Sequence, residues 1–260
     1  VMVLSGDHVY RMDYGPLLEF HEERDADLTI AFKPVDPSEA NRFGIATLAP
    51  DGRVTSYEEK PRRPKSSLAS LTIYVFKAEV LARRVIENAR TGKTFQLYSE
   101  VIPRMLEENR VYGYVFDGYW QYSRTIDEYY RASMDLLAEP SPIDLAAWQV
   151  RTNPASSRTG ELPPARFKKG STLASSIVSG GSIIEGEVTG SVLSPYVRVK
   201  KGARVVDSIL MHDTVTTPQF LAYVESLAPD ARPQMVHALS EAIRIMGNAE
   251  MDPEGLKDGM

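Results

Sequence analysis

The chain has 260 residues, 43% of them hydrophobic, a formal net charge of −5 and no cysteine. That length supports a real core in one large or two modest domains. Interspersed charge without a basic stripe argues against a nucleic-acid polymer as partner, and the lack of thiols excludes disulfides and thiolate metal sites. No apolar run approaches the ~20 residues of a membrane span and no signal peptide opens the chain, so a cytoplasmic protein is expected. In chain order, Val1–Leu4 is short, continuous and apolar, which predicts a strand covered on both faces. Such strands occur in parallel sheets, where ligands bind beyond the carboxyl ends, and Asp7 of "LSGDHVY" would stand at that spot. The strand starts at Val1 with no Met and no lead-in, so a missing upstream segment is expected.

Asp13 to Asp25 then carries Leu17, Leu18 and His21 at helical spacing, and "ADLTIAF" is a strand that ends at Pro34. "RFGIATLAPDGRVTSYEEKP" reads as a hairpin turning on Pro50-Asp51-Gly52. "LTIYVF" is another buried strand. Glu79 to Arg90 reads as an amphipathic helix with Val80, Leu81, Val85 and Ile86 on one face and Gly92 after it. A helix over Val101–Leu106, a strand in "RVYGYVF" and a helix over Ile126–Leu137 follow. This alternation predicts an α/β layered domain over 1–138.

Pro, Ser and Thr then dominate, which predicts a linker over 139–170. From 171 to 216, Ile/Val clusters recur every five or six residues with Gly, Ser or Asp between them. That is the quasi-hexapeptide pattern of a left-handed parallel β-helix. Over 217–260 the pattern breaks into a helical tail, with Phe220, Leu221, Val224 and Leu227 on one helix and Val236, Leu239, Ile243 and Met246 on a second. The pair reads as a cap on an open solenoid end, or as a tail foreign to the architecture.

Few residues suggest chemistry singly. Asp7 suits a Mg²⁺ ligand, because hard cations share carboxylate and phosphate oxygens, and it suits a turn cap about equally. His8, beside a turn, reads more readily as a hydrogen-bonded structural residue. In "SYEEKP", Lys60 ends a strand beside Glu58 and Glu59. An ammonium there can pair with a phosphate and a carboxylate can accept from sugar hydroxyls, although a solvated charge run is the more usual fate. Gly44 would let backbone approach a ligand, and Ser70 offers a hydroxyl.

The motifs "VLSGDHVYRMDY", "RFG", "YEEKP", "LASLTIYVF", "VIPRML", "DGYW" and "TIDEYYRASMDLL" occur in the order seen in the glucose-1-phosphate adenylyltransferases (ADP-glucose pyrophosphorylases). The chain resembles that family from Val1 to about Thr216. The resemblance implies a nucleotidyltransferase-type, Rossmann-like α/β domain, present in part, followed by the β-helix. It implies condensation of ATP with α-D-glucose 1-phosphate to ADP-glucose and pyrophosphate, for glycogen or starch synthesis. It also implies homo- or hetero-oligomers and small-molecule regulators. By motif, Asp7 resembles the Mg²⁺-binding acid, Lys60 the grip on the sugar phosphate and Glu59 the partner of glucose hydroxyls. Gly44, Ser70 and Tyr74 resemble further members of the sugar pocket.

Three departures accompany the resemblance. The family's Gly-rich phosphate loop lies upstream of "SGDH", and this chain starts after it, so impaired ATP binding is expected. Where the family has Arg-Asp-Val-Gly after "GYW", this chain has Gln121-Tyr122-Ser123-Arg124, with Tyr122 in the place of a second metal-binding acid. "LYSEVIP" replaces the family's "DFGKDIIP". These departures leave a non-catalytic regulatory subunit, or an inactive fragment, as the second reading. A hexapeptide-repeat acyltransferase, with His212 as its only candidate base, ranks third.

Overall fold

One mixed sheet carries the first half of the chain. The computed structural model describes residues 1–91, 94–149 and 162–219. The predicted helices of the tail from Phe220 onward, the Gly92 helix stop and the middle of the predicted linker lie outside those residues. In order come β1 (Met2–Leu4), β2 (His8–Tyr10), α1 (Gly15–Glu23), β3 (Leu28–Pro34), β4 (Gly44–Leu48), β5 (Val54–Glu59) and β6 (Leu68–Phe76). Then follow α2 (Ala78–Thr91), a π-turn over Leu97–Val101, α3 (Ile102–Glu108), β7 (Val111–Val115) and β8 (Trp120–Tyr122). The chain divides between Trp120 and Gln121 into two compact units.

In the first unit the strand order is β5-β4-β6-β3-β7, with β1 added on β6. The hairpin forms where Pro50-Asp51-Gly52 predicts it: Asp51 Oδ1 accepts from Arg53 N–H at 3.0 Å and Gly52 adopts φ +87°. Within this sheet β3 and β7 pair in parallel, whereas β3–β6, β4–β5, β4–β6 and β1–β6 are antiparallel. The expectation of a parallel first strand covered on both faces is therefore corrected. β1 runs antiparallel to β6, Leu4 is 46% exposed, and Val1 is exposed too. An apolar run reports affinity for a core but carries no information on hydrogen-bond direction.

The core gathers Leu28, Ile30 and Phe32 of β3, Tyr74 and Phe76 of β6, and Ile102 and Met105 of α3. α2 turns a face toward it that differs from the expected one. Val80 is buried and Leu81 half-buried, but Val85 is exposed and Ile86 is 52% exposed, while Arg84 and Asn88 are buried. Arg84 donates to Asn109 Oδ1 through Nε at 3.0 Å and Nη2 at 2.7 Å, and pairs with Glu108 at 2.6 Å and Glu87 at 2.9 Å. Asn88 donates to Thr94 O at 2.8 Å. The partners of the guanidinium offset the cost of burying it, although Asn88 Oδ1 is buried without a hydrogen-bond partner.

His21 packs behind the sheet, its Nδ1 2.8 Å from Thr29 Oγ1. Burial holds its imidazole below the ordinary range, and the positive N-terminus and Lys77 add to that. A histidine depressed in the folded state binds its proton preferentially in the unfolded chain, so folding free energy declines as pH falls through about 6.5. The urea midpoint is expected to drop between pH 7.5 and 5.5, and His21→Gln to flatten that drop. Equal pH slopes in wild type and variant would contradict this.

In the second unit Thr125 and Glu128 form a reciprocal capping box that starts α4 (Ile126–Met134). Tyr130 O–H donates to Asp207 O at 2.9 Å, which ties α4 to the following coils. Those coils form a parallel β-solenoid. β9 (Arg166–Phe167) pairs with β12 (Ile183–Ile184), β12 with β15 (Arg198–Val199), and β15 with β18 (Val215–Thr216). β10 (Thr172–Ala174), β13 (Glu187–Thr189) and β16 (Arg204–Val206) make a second face, and β11 (Ile177–Val178), β14 (Val192–Leu193) and β17 (Ile209–Leu210) a third. The first strand lies ahead of Ser171. Branched residues stack inward as Ile184 over Val199, Val188 over Val205 and Leu193 over Leu210. Coils approach closely at the corners, where a Cβ on Gly186 would lie 2.2 Å from Ala203 O.

Candidate active site

Two strands share one edge of β6. β4 pairs at its start, Ile45 opposite Ala69, and β1 at its end, Leu4 opposite Ile73, while β3 occupies the whole other edge. Between them the ladder is open. There β6 bulges: β3 advances only from Ile30 to Phe32 while β6 runs from Tyr74 back to Ser70. Thr72, inside the bulge, has φ +53° and accepts Ser5 N–H at 3.2 Å. Such bulges re-aim side chains beside sites. Here the bulge places the buried Ser70 beside the phenols of Tyr57 and Tyr74.

Glu59 stands next to this trio. Tyr57 O–H donates to Glu59 Oε2 at 3.3 Å, and Lys60 Nζ lies 3.9 Å from Glu59 Oε1. Desolvation pushes both phenols above the ordinary tyrosine range, with the Glu59 charge acting in the same direction, so both remain protonated donors at neutral pH. Lys60 has φ +47° and donates its N–H to Phe43 O at 3.0 Å. That left-handed kink for a non-glycine residue turns the chain out of β5 just before Pro61. Glu58 behaves as the plain reading of the charge run has it, paired with Lys65 at 2.6 Å.

Asp7 closes the other arm of the fork. Its Oδ1 accepts from the Ser5 hydroxyl, and its side chain is 37% exposed. His8, fully buried, is a structural residue: its Nδ1 accepts from Trp120 Nε1–H at 3.2 Å. An indole only donates, so the His8 proton sits on Nε2, which lies 3.3 Å from Asp7 Oδ1. Trp120 also packs edge-on against Phe43, ring centroids 5.6 Å apart, and Phe43 carries the carbonyl that holds Lys60. Asp7 and Lys60 are thus tied through His8, Trp120 and Phe43. Lys33 braces the loop ahead of Trp120, donating to Gly118 O at 2.7 Å and Asp117 O at 3.3 Å.

The residues singled out from sequence therefore converge on the fork: Gly44, Glu59, Lys60, Ser70 and Tyr74 on one side and Asp7 on the other. Gly44 also serves the packing of the pocket itself. A Cβ there would lie 2.1 Å from the Tyr57 hydroxyl and 2.9 Å from Glu59 Oε2, so its missing side chain makes room for this chain's own groups. Tyr57 and Trp120 stand inside the motifs "YEEKP" and "DGYW" but were not singled out as site residues, and the partners of Trp120 and Lys33 are distant in the chain. In "LYSEVIP", Tyr98 packs on the core, Ser99 Oγ lies 3.0 Å from Thr94 Oγ1, and Glu100 Oε1 accepts Thr94 N–H at 2.9 Å. That stretch closes a turn. His212 is exposed at a solenoid corner.

The family model for nucleotidyl transferases matches residues 1–139, more than half of the chain. The chain belongs to the nucleotidyl transferase family. A second family model, GlmU-like C-terminal hexapeptide, matches residues 163–219, the solenoid. Among relatives of this family member, the glucose-1-phosphate adenylyltransferase of Acetivibrio thermocellus is 40% identical over 220 residues, covering 83% of this chain and 50% of the relative. That of Clostridioides difficile is 39% identical over 221 residues, covering 83% and 56%. That of Thermotoga maritima is 40% identical over 210 residues, covering 79% and 48%. The chain spans about half the length of the curated relatives it matches. Among the described residues no helix is long and apolar enough to cross a membrane.

Proposed function

We propose that this chain serves adenylyl transfer from ATP to α-D-glucose 1-phosphate, yielding ADP-glucose and pyrophosphate for glycogen or starch synthesis. The observation that carries this reading is the convergence on one fork of an ammonium, a carboxylate, buried hydroxyls and a second, solvent-facing carboxylate. In the reaction a phosphate oxygen of glucose 1-phosphate attacks the α-phosphorus of ATP. The bond to the bridging oxygen breaks and pyrophosphate leaves with that electron pair. Little covalent work falls to the protein, which must position and neutralise. Lys60 offsets the sugar-phosphate charge. Glu59 accepts from glucose hydroxyls, and Ser70 with Tyr74 walls the same pocket.

Asp7 is the residue that would hold Mg²⁺. Among the described residues no group of three or more His, Cys, Asp or Glu could cage a metal. One oriented, half-exposed carboxylate nevertheless fits a cation whose remaining ligands are water and substrate phosphate oxygens. When bound, the ion supplies charge neutralisation between the two reacting phosphates. The Ser5 hydroxyl holds the carboxylate in place for that task, with His8 Nε2 beside it at 3.3 Å. We further propose a cytoplasmic location and assembly into homo- or hetero-oligomers, which light scattering of the purified chain reads directly. Sequence similarity to catalytic relatives supports the enzymatic reading over a purely regulatory subunit.

Lys60→Ala tests the pocket. Loss of a charge-assisted contact of about 1.5–3 kcal/mol weakens glucose 1-phosphate binding by roughly 10- to 100-fold. Titration calorimetry on the full chain measures it, and unaltered affinity would remove Lys60 from the sugar-phosphate site.

A further inference from the structure

We propose that Tyr57 is a positioning residue of the sugar-phosphate pocket, which fixes Glu59 by donating its hydroxyl proton to Oε2 and so selects the rotamer that meets the sugar. The inference rests on the functional reading above and adds a residue to it.

Three observations converge on Tyr57. Its hydroxyl is 3.3 Å from Glu59 Oε2 and lies beside Ser70, so one half-buried phenol adjoins two members of the pocket on different strands. The space it fills exists only because residue 44, opposite Glu59 in the β4–β5 ladder, is glycine. The Glu59 carboxylate is consequently held from both ends, by a neutral half-buried donor at Oε2 and by the Lys60 cation 3.9 Å from Oε1. A flexible glutamate at a strand end would otherwise lose rotamer freedom on meeting ligand, and fixing it beforehand lowers that cost. Tyr57 itself lies behind Glu59, next to Ser70 and Tyr74, so it acts through the carboxylate.

The test is a double-mutant cycle on the full chain, read by calorimetric titration with α-D-glucose 1-phosphate. Tyr57→Phe keeps the ring and is expected to weaken binding about tenfold, in line with one lost hydrogen bond to a charged acceptor. In a Glu59→Gln background the same change is expected to cost about twofold or less. Affinity for inorganic phosphate, which reports Lys60, should be equal in Tyr57→Phe and wild type. Wild-type affinity in Tyr57→Phe, or an undiminished tenfold loss in the Glu59→Gln background, would overturn the inference and leave Tyr57 a packing residue. A wild-type chain that binds inorganic phosphate but not the sugar phosphate would instead overturn the functional reading, and the inference with it.

Discussion

Asp7→Asn is expected to lower pyrophosphate release from ATP and glucose 1-phosphate by about a thousandfold or more, with thermal stability nearly unchanged. The amide keeps the shape of the side chain and can still accept from the Ser5 hydroxyl. What it loses is the anionic oxygen that a hard cation requires, and a loss of about 4 kcal/mol in charge stabilisation corresponds to that factor. Because the chain spans only half of its relatives' length, turnover is one readout and metal binding a second. Electron paramagnetic resonance of Mn²⁺ titrated into the chain with glucose 1-phosphate should show a bound fraction in wild type and none in the variant. Equal binding and equal turnover would remove Asp7 from the metal site. Ser5→Ala, which removes only a support of the carboxylate, should give a smaller loss in both.

Arg84→Ala is expected to destabilise the chain by about 3 kcal/mol, whereas Ile86→Ser, two residues away on the same helix, should change stability by no more than about 0.5 kcal/mol. The ranking reverses what hydropathy alone would assign. Arg84 is buried and satisfies Asn109 Oδ1 with two donors, so truncation strands a buried acceptor and opens a void beneath α2. Ile86 faces solvent. Urea denaturation of both variants decides the matter. A larger loss for Ile86→Ser than for Arg84→Ala would mean that α2 is rotated from the orientation described here.

Much of the architecture is written locally. Short Ile/Val clusters spaced by Gly, Ser and Asp can bury one branched residue per face only by stacking, and the inward columns at Ile184, Val188 and Leu193 show them doing so. Pro50-Asp51-Gly52 carries its own turn geometry, and Thr125 with Glu128 its own helix start. The candidate site was legible only as an ordered set of motifs, because an acid, a strand-end lysine and a hydroxyl each have an ordinary structural reading when taken singly.

Tertiary structure decided what depends on partners far along the chain. The direction of β1 is set by its pairing with β6, to which an apolar run is indifferent. The buried face of α2 follows from Asn109 and Glu108, which satisfy a guanidinium that would otherwise belong in water. The tie from Asp7 to Lys60 runs through an indole 112 residues beyond His8. Gly44 and Tyr57 make sense only as neighbours in the β4–β5 hairpin, one without a side chain so that the other can reach Glu59. Residue type and local periodicity determine which chemistry and which element each segment can offer. Only three-dimensional packing determines which donor meets which acceptor, because the desolvation cost of each polar group is settled by the partner that the fold supplies.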